Sequence, residues 1–456
     1  MDAHSGSTPQ TPPPGCPMHQ GQPTALYGED FAADPDWFYD RMRAAGPVAQ
    51  VELAPGVDAT LVIQHETALR VLQNPALFVR DSRRWNALND GRIPMDSPVL
   101  PMMFYRPNSL FSDGAEHLRF RKATTDSLNR INVSRLGRDV ERVADYLIDQ
   151  FSERGSADLL NDYARLLPLL LFNQLFGCPA DIGDRMTRGI AGIFDGGEGA
   201  LRANDELTSS LLELVALKRR NPGDDVTTWL VQHPAGLNDE ELKDQLVVML
   251  SAGIEPVSSL ICSSVLLLLS AEGTRGAGML VEDAMDNVLW NNPPIANYAT
   301  HYPVQDISLG ETTLRANDPV VISFAAANTD PTLTDARLTL SKGAHLAWGA
   351  GPHACPAKSP AQLITLTAIE RILNALPDLT LSLPEEKLEW RPGPFHRAPV
   401  AMPVHFSPTP AHRTPPPPPN IPNRPTGTAP VQGQPAPGAH RKQKGWWSSF
   451  LDVFRV

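Results

Sequence analysis

The sequence predicts a mainly α protein with a minor β portion, built as one folded body, and three observations carry that expectation. Apolar residues recur at intervals of three and four over Leu159 to Phe176 and Glu206 to Lys218, the period of an amphipathic helix. Strand-type alternation is confined to two places, near residues 48–63 and 379–406. The longest apolar run, Val247 to Leu269, carries Glu255 and Pro256 at its middle. A charge there is expensive in lipid, so a long helix buried in a large core fits better than a membrane span.

In chain order, residues 1–25 are rich in Ser, Thr, Gln and Pro with no apolar run, and read as a disordered leader rather than a signal peptide or an anchor. Val48–Leu53 and Ala59–Ile63 flank Ala54-Pro55-Gly56-Val57 and predict a hairpin. Leu379, Leu381 and Leu383, then Val400, Met402, Val404 and Phe406, alternate as strands near the end of the body. From Ser407 onward 12 of the last 50 residues are proline, which favours extended polyproline conformations over a packed core. The body therefore covers 26–406, followed by a proline-rich disordered linker over 407–440 and a basic, aromatic segment over 441–456. On a helical wheel Trp446, Trp447, Phe450, Leu451, Val453 and Phe454 share one side, with Arg441, Lys442 and Lys444 just before them. Such a segment suits a membrane surface, a partner's groove, or a fold-back onto the body.

Composition excludes several classes. With 42% hydrophobic and 20% charged residues the chain can bury a large core. The net charge of −12 divides into +5 on the tail and −17 on the first 406 residues, which argues against a nucleic-acid binder. Cys16, Cys178, Cys262 and Cys355 are too few and scattered for a disulfide framework, which fits a cytoplasmic chain with reduced thiols. Cys16-x-x-His19 is half of a zinc-site spacing with no second pair. Gly349-Ala-Gly351 has no dinucleotide-binding context, so any electrons come from separate proteins.

The most informative segment is His345-Leu-Ala-Trp-Gly-Ala-Gly-Pro-His-Ala-Cys355-Pro-Ala. Its glycines and proline make a tight loop, and an apolar helical pattern follows (Leu363, Ile364, Leu366, Ile369, Leu373). Pro356 suits a first helical position, which places Cys355 at a helix N-terminus whose partial positive charge favours thiolate. A thiolate in such a loop can be an axial ligand to haem iron. The bland alternative for a loop cysteine is a small buried hydrophobe.

This segment resembles the haem-binding loop Phe-x-x-Gly-x-x-x-Cys-x-Gly of the cytochrome P-450 superfamily, running from Trp348 through Gly351 and Cys355 to Ala357. Further matches follow in family order over nearly all of the body. Asp113-Gly-Ala-Glu-His117-Leu-Arg-Phe-Arg121 looks like the helix whose His and Arg bind the haem propionates. The spacing agrees, because residues four apart share a helix face and two carboxylates need cationic donors. The resemblance adds His353 and His301 as further propionate contacts, His301 standing where the family has Arg. Ala252-Gly253-Ile254-Glu255-Pro256-Val257 is similar to the motif that crosses above the iron, and Ala252 is its first residue.

Three departures qualify the resemblance. The family's Glu-x-x-Arg pair is replaced by Asn287 and Trp290, as in an actinobacterial branch that this chain resembles. Losing both partners together can be nearly neutral, whereas losing one strands a charge. The Thr that assists dioxygen protonation is Pro256, whose missing N–H removes a helix hydrogen bond and predicts a kink. Glu255 then remains as a proton source, and Ser258 or Ser259 either orders a relay water or bonds back to a helix carbonyl. Pro356, finally, removes a backbone donor next to the Cys355 sulfur, which predicts a lower iron reduction potential.

The resemblance implies a single-domain cytochrome P-450 fold holding haem b and a monooxygenase of secondary metabolism. It would insert one atom of dioxygen into a small organic substrate, with electrons from a ferredoxin and its reductase. Arg119 and Lys122 are candidates for docking that partner. Two other functions compatible with the same residues are a peroxide-driven peroxygenase and a degenerate haem-binding sensor or scaffold tethered through 441–456 to a membrane-proximal complex.

Overall fold

The computed structural model describes residues 23–195, 200–270, 278–309, 312–334 and 341–416. Most of the leader, the tail beyond 416 with its segment 441–456, and Cys16-x-x-His19 lie outside the described residues.

Helices make up most of the described body, as expected. The run from Val247 to Leu269 belongs to one helix, Asp239–Leu269, whose N-terminus is closed by a capping box. Asn238 Oδ1 accepts the Glu241 N–H, and Glu241 Oε2 accepts the Asn238 N–H, both at 2.9 Å. It is the one described helix long and apolar enough to cross a membrane, yet two-thirds of its most apolar window is buried in the protein. Its apolar side chains join those of Val133–Asp149, Leu166–Leu175 and Lys358–Ala375 in the main core. The helix continues through Pro256. At Gly253 a Cβ would lie 2.3 Å from the Phe172 ring of the Leu166–Leu175 helix, so a larger residue there would have to displace that ring.

The Leu159–Phe176 periodicity is realised in two pieces, a π-helical turn Leu159–Ala164 followed by the α-helix Leu166–Leu175. Asp158 starts the turn by accepting the Leu160 N–H at 3.1 Å. Tyr163 fastens it to the Lys358–Ala375 helix by donating to the Ala368 carbonyl at 2.7 Å.

The predicted hairpin is present as antiparallel strands Val48–Ala54 and Val57–Val62. They belong to a six-stranded sheet whose order is Thr24–Ala25, Val48–Ala54, Val57–Val62, Val320–Ser323, Asn297–Pro303 and Phe78–Val79. The late alternation gives Thr380–Leu381 and Pro403–His405, which pair with each other, and Pro403–His405 pairs on its other side with Ser156–Asp158.

Both ends of the body differ from expectation. Thr24 and Ala25, assigned to the leader, pair in parallel with Val51 and Glu52. At the other end, residues beyond Phe406 are fastened to the body despite their prolines. The Thr409 N–H donates to the Ser152 carbonyl at 2.9 Å, and Asp149 accepts the N–H groups of His412 and Thr414 at 2.8 and 2.6 Å. Composition misses this because the partners are backbone N–H groups, which every non-proline residue carries.

The lost Glu-x-x-Arg pair is replaced by a different packing. Trp290 is buried, donates its indole N–H to the Lys342 carbonyl at 2.5 Å, and meets the His345 ring edge-on at 5.7 Å. Asn287 is exposed and bonds Asn291. Trp290→Ala is therefore expected to cost about 3–5 kcal/mol, read as a lower denaturant midpoint with an unchanged slope. An m-value-corrected loss under 1 kcal/mol would show that the indole is not a packing element.

His345 sits in the same seam, and burial, then Lys358, lowers its pKa to about 4. An unfolded histidine titrates near 6.5, so between that value and about 4 the unfolded chain binds more protons. Stability should fall as pH drops through this window, by roughly 3 kcal/mol from this residue alone. His345→Gln should flatten that part of the stability–pH curve; an unchanged slope contradicts the assignment.

Candidate functional site

The Cys355 loop begins where Trp290 and His345 end. Leu346–Trp348 forms a short 3-10 turn, and Gly351–His353 a second. Gly351 has φ +68°, and a Cβ there would sit 2.2 Å from the Leu72 carbonyl oxygen, so only glycine fits. The Cys355 N–H donates to the Trp348 carbonyl at 2.8 Å, folding the loop back on itself. Asn328 holds the loop from beneath, accepting the Leu346 N–H at 2.7 Å and donating to the Leu289 carbonyl at 3.1 Å.

The helix after the cysteine starts at Lys358, with Ala357 as its cap, two residues later than the proline pattern predicts. Pro356 lies in a turn ahead of it. The sulfur keeps a backbone donor all the same, because the Ala357 N–H faces it. Burial is the largest influence on Cys355 and pushes its thiol up, against the opposing effects of that N–H, Arg121 and Lys358. The helix terminus alone therefore does not favour thiolate here. A coordinated metal would deprotonate the thiol outright.

Beside the loop lies a cluster of cationic and imidazole side chains. His117 and Arg121 share one face of the Gly114–Leu128 helix, with Arg121 Nε 3.4 Å from His117 Nε2. Arg121 also donates to the Ala354 carbonyl at 3.0 Å, which ties this helix to the residue next to Cys355. The rings of His117 and His353 stand 4.0 Å apart. Burial, then Arg121 and Arg80, lowers the His117 pKa to about 4, and burial with the same cations drives His353 down further.

His301 departs from its expected role. Its strand carries a bulge between Tyr298 and His301, with Ala299 at φ +56°. That turn brings the Ala299 carbonyl onto His301 Nδ1 at 2.5 Å. Burial disfavours the charged ring, and in the neutral form that donates from Nδ1 to Ala299 the other nitrogen accepts and does not donate to a carboxylate. Sequence reasoning missed Arg80, a single arginine after Phe78–Val79. It is buried, with its Nη1 unpartnered among the described residues.

On the long helix, Ala252 is exposed and Glu255 is buried. Glu255 forms an ion pair with Arg391, a residue that the sequence did not connect to it. Ser258 adopts the bland alternative, its hydroxyl donating to the Ile254 carbonyl at 2.8 Å. Ser259 is fully buried. Arg119 is tied to Glu241 instead of being free on the surface, while Lys122 is exposed and pairs with Asp126 at 2.7 Å.

Among the described residues no cluster of three or more His, Cys, Asp or Glu could hold a bare metal ion. A single cysteine beside two buried unpartnered nitrogens, Nη1 of the Arg80 cation and Nδ1 of the His353 imidazole, instead matches a metal carried by a dianionic organic group. The residues present thus fit a haem: one sulfur for the iron and cations for its carboxylates.

No family model matches the chain. It is 30% identical over 399 residues to the cytochrome P-450 monooxygenase PikC of Streptomyces venezuelae, covering 83% of this chain and 92% of that protein. Nocardicin C N-oxygenase of Nocardia uniformis is also 30% identical, over 397 residues, covering 83% and 97%. Among solved structures, CYP154C4 from Streptomyces superposes with a TM-score of 0.76 at 28% identity, covering 84% of this chain and 97% of the other. Sequence likeness along the whole body, a shared fold and a site suited to haem converge: the chain belongs to the cytochrome P-450 superfamily of haem-dependent monooxygenases.

Proposed function

We propose that this enzyme oxidises a small organic compound of secondary metabolism, with Cys355 as the axial ligand of haem b. The observation that carries the reading is the Arg121 bond to the Ala354 carbonyl, which sets the cationic cluster directly beside the cysteine. When bound, the haem supplies activation of dioxygen after accepting electrons, for which we assign a ferredoxin and its reductase as donors. His117, Arg121 and His353 would hold and orient the propionates, and Ala252, as the first residue of the long-helix motif, would contact the haem. His301 shapes the strand beside them.

Glu255 is the proton-handling group, held by Arg391. That arginine lines a cavity of about 20 Å³ with Asp36, His396 and Arg397, room for roughly one water. Relatives that match the chain include a mycinamicin IV hydroxylase/epoxidase and a polyketide biosynthesis cytochrome P-450, which supports a product of polyketide biosynthesis as substrate. The enzyme is proposed to work in the cytoplasm, with 441–456 as a contact for a membrane surface or partner protein.

A peroxide-driven reaction is the second reading. It is favoured by Pro256 and by the engagement of the Ser258 hydroxyl, since peroxide brings its own protons and needs less relay chemistry. The test is turnover of a macrolide and polyketide panel with surrogate ferredoxin and reductase against peroxide alone. Products only with ferredoxin support the leading reading, products only with peroxide the second. Failure with both donors, despite a thiolate-type spectrum with carbon monoxide, would point to a haem-binding sensor or scaffold.

A further inference from the structure

We propose that Arg80 supplies the propionate cation that this chain lacks at position 301, the positive charge having moved across one pair of strands. The proposal rests on the haem reading above. The short strand Phe78–Val79 pairs antiparallel with Asn297–Pro303, Phe78 opposite Pro303 and Val79 opposite Tyr302. Carried one residue beyond the end of that pairing, the register puts Arg80 level with His301. A cation carried by either strand would thus serve one site.

Three observations make Arg80 the carrier. First, His301 spends its one N–H on the Ala299 carbonyl and offers an acceptor to whatever lies beyond. Second, Arg80 is a buried guanidinium that makes no ion pair among the described residues. The nearest carboxylate, Asp113, is occupied by the backbone N–H groups of Arg80 and Asp81 at 2.9–3.1 Å. Third, the side chain is already aimed: its Nε donates to the Leu110 carbonyl at 3.2 Å, leaving Nη1 buried and unpartnered. A buried cation whose one neighbouring carboxylate is already engaged by backbone donors gains when a further anion joins it. The positive field of Arg80 reaches His117, His301 and His353 alike, so it stands within the same cluster.

The experiment follows haem loss from the holoprotein to excess apomyoglobin, with the reduced carbon monoxide spectrum recorded on each variant. Arg80→Met should release haem about tenfold to a hundredfold faster, the loss of one charge-assisted hydrogen bond. Arg80→Lys should fall between it and the parent, and guards against a misfolded methionine variant. Adding His301→Arg to Arg80→Met should restore the rate to within about threefold, whereas His301→Arg alone should not slow release. Arg80→Met and Arg80→Lys both releasing haem at the parental rate would overturn the proposal while the haem reading stands. A parent chain with no thiolate-ligated haem overturns both.

Discussion

Cys355→Ala is expected to remove the thiolate signature from the reduced, carbon monoxide-treated protein and to lower turnover at least about a thousandfold, some 4 kcal/mol of barrier. The fold should survive. The loop is shaped by backbone contacts that alanine retains: the Cys355 N–H on the Trp348 carbonyl, Arg121 on the Ala354 carbonyl, and Gly351 against Leu72. Denaturant stability of the haem-free variant should therefore stay within about 1 kcal/mol of the parent. Pigment with an unchanged thiolate spectrum in the alanine variant would refute Cys355 as ligand. Collapse of the haem-free fold would show that the sulfur is a core element.

Arg391→Met carries the second large effect. Glu255 is almost fully buried, with 4% of its side chain exposed, and Arg391 at 28% is its partner. Removing the cation strands a carboxylate inside the protein, at a cost of about 3–5 kcal/mol. Glu255→Gln in the same chain removes the stranded charge, so the double variant should recover most of the loss. Chemical denaturation of all four proteins measures the coupling. Simple additivity of the two single variants would mean that the pair is not an energetic unit.

Much of the fold and part of the site are legible in the sequence, for local reasons. The Val48–Val62 hairpin announces itself by alternation around Pro55-Gly56, and the long helix by its apolar length. Cys355, His117 and Arg121 stand out because their spacing along one loop or one helix face is itself the chemistry. What stays hidden depends on register between distant segments. Arg391 lies 136 residues from Glu255, with no pattern linking them. Arg80 becomes meaningful only when the strand before it, Phe78–Val79, pairs with Asn297–Pro303. The Ser258 bond and the helix start at Lys358 are choices between local alternatives that packing decides.

The seam between residues 407–414 and the end of the Val133–Asp149 helix sets where the polypeptide can be shortened. A chain ended at Phe406 would forfeit the backbone bonds of Ser407, Thr409, Ala411, His412 and Thr414, two of them to the Asp149 carboxylate. The smallest self-sufficient unit thus extends through Thr414, and whatever cargo the remaining residues carry is hung from the flank of that helix.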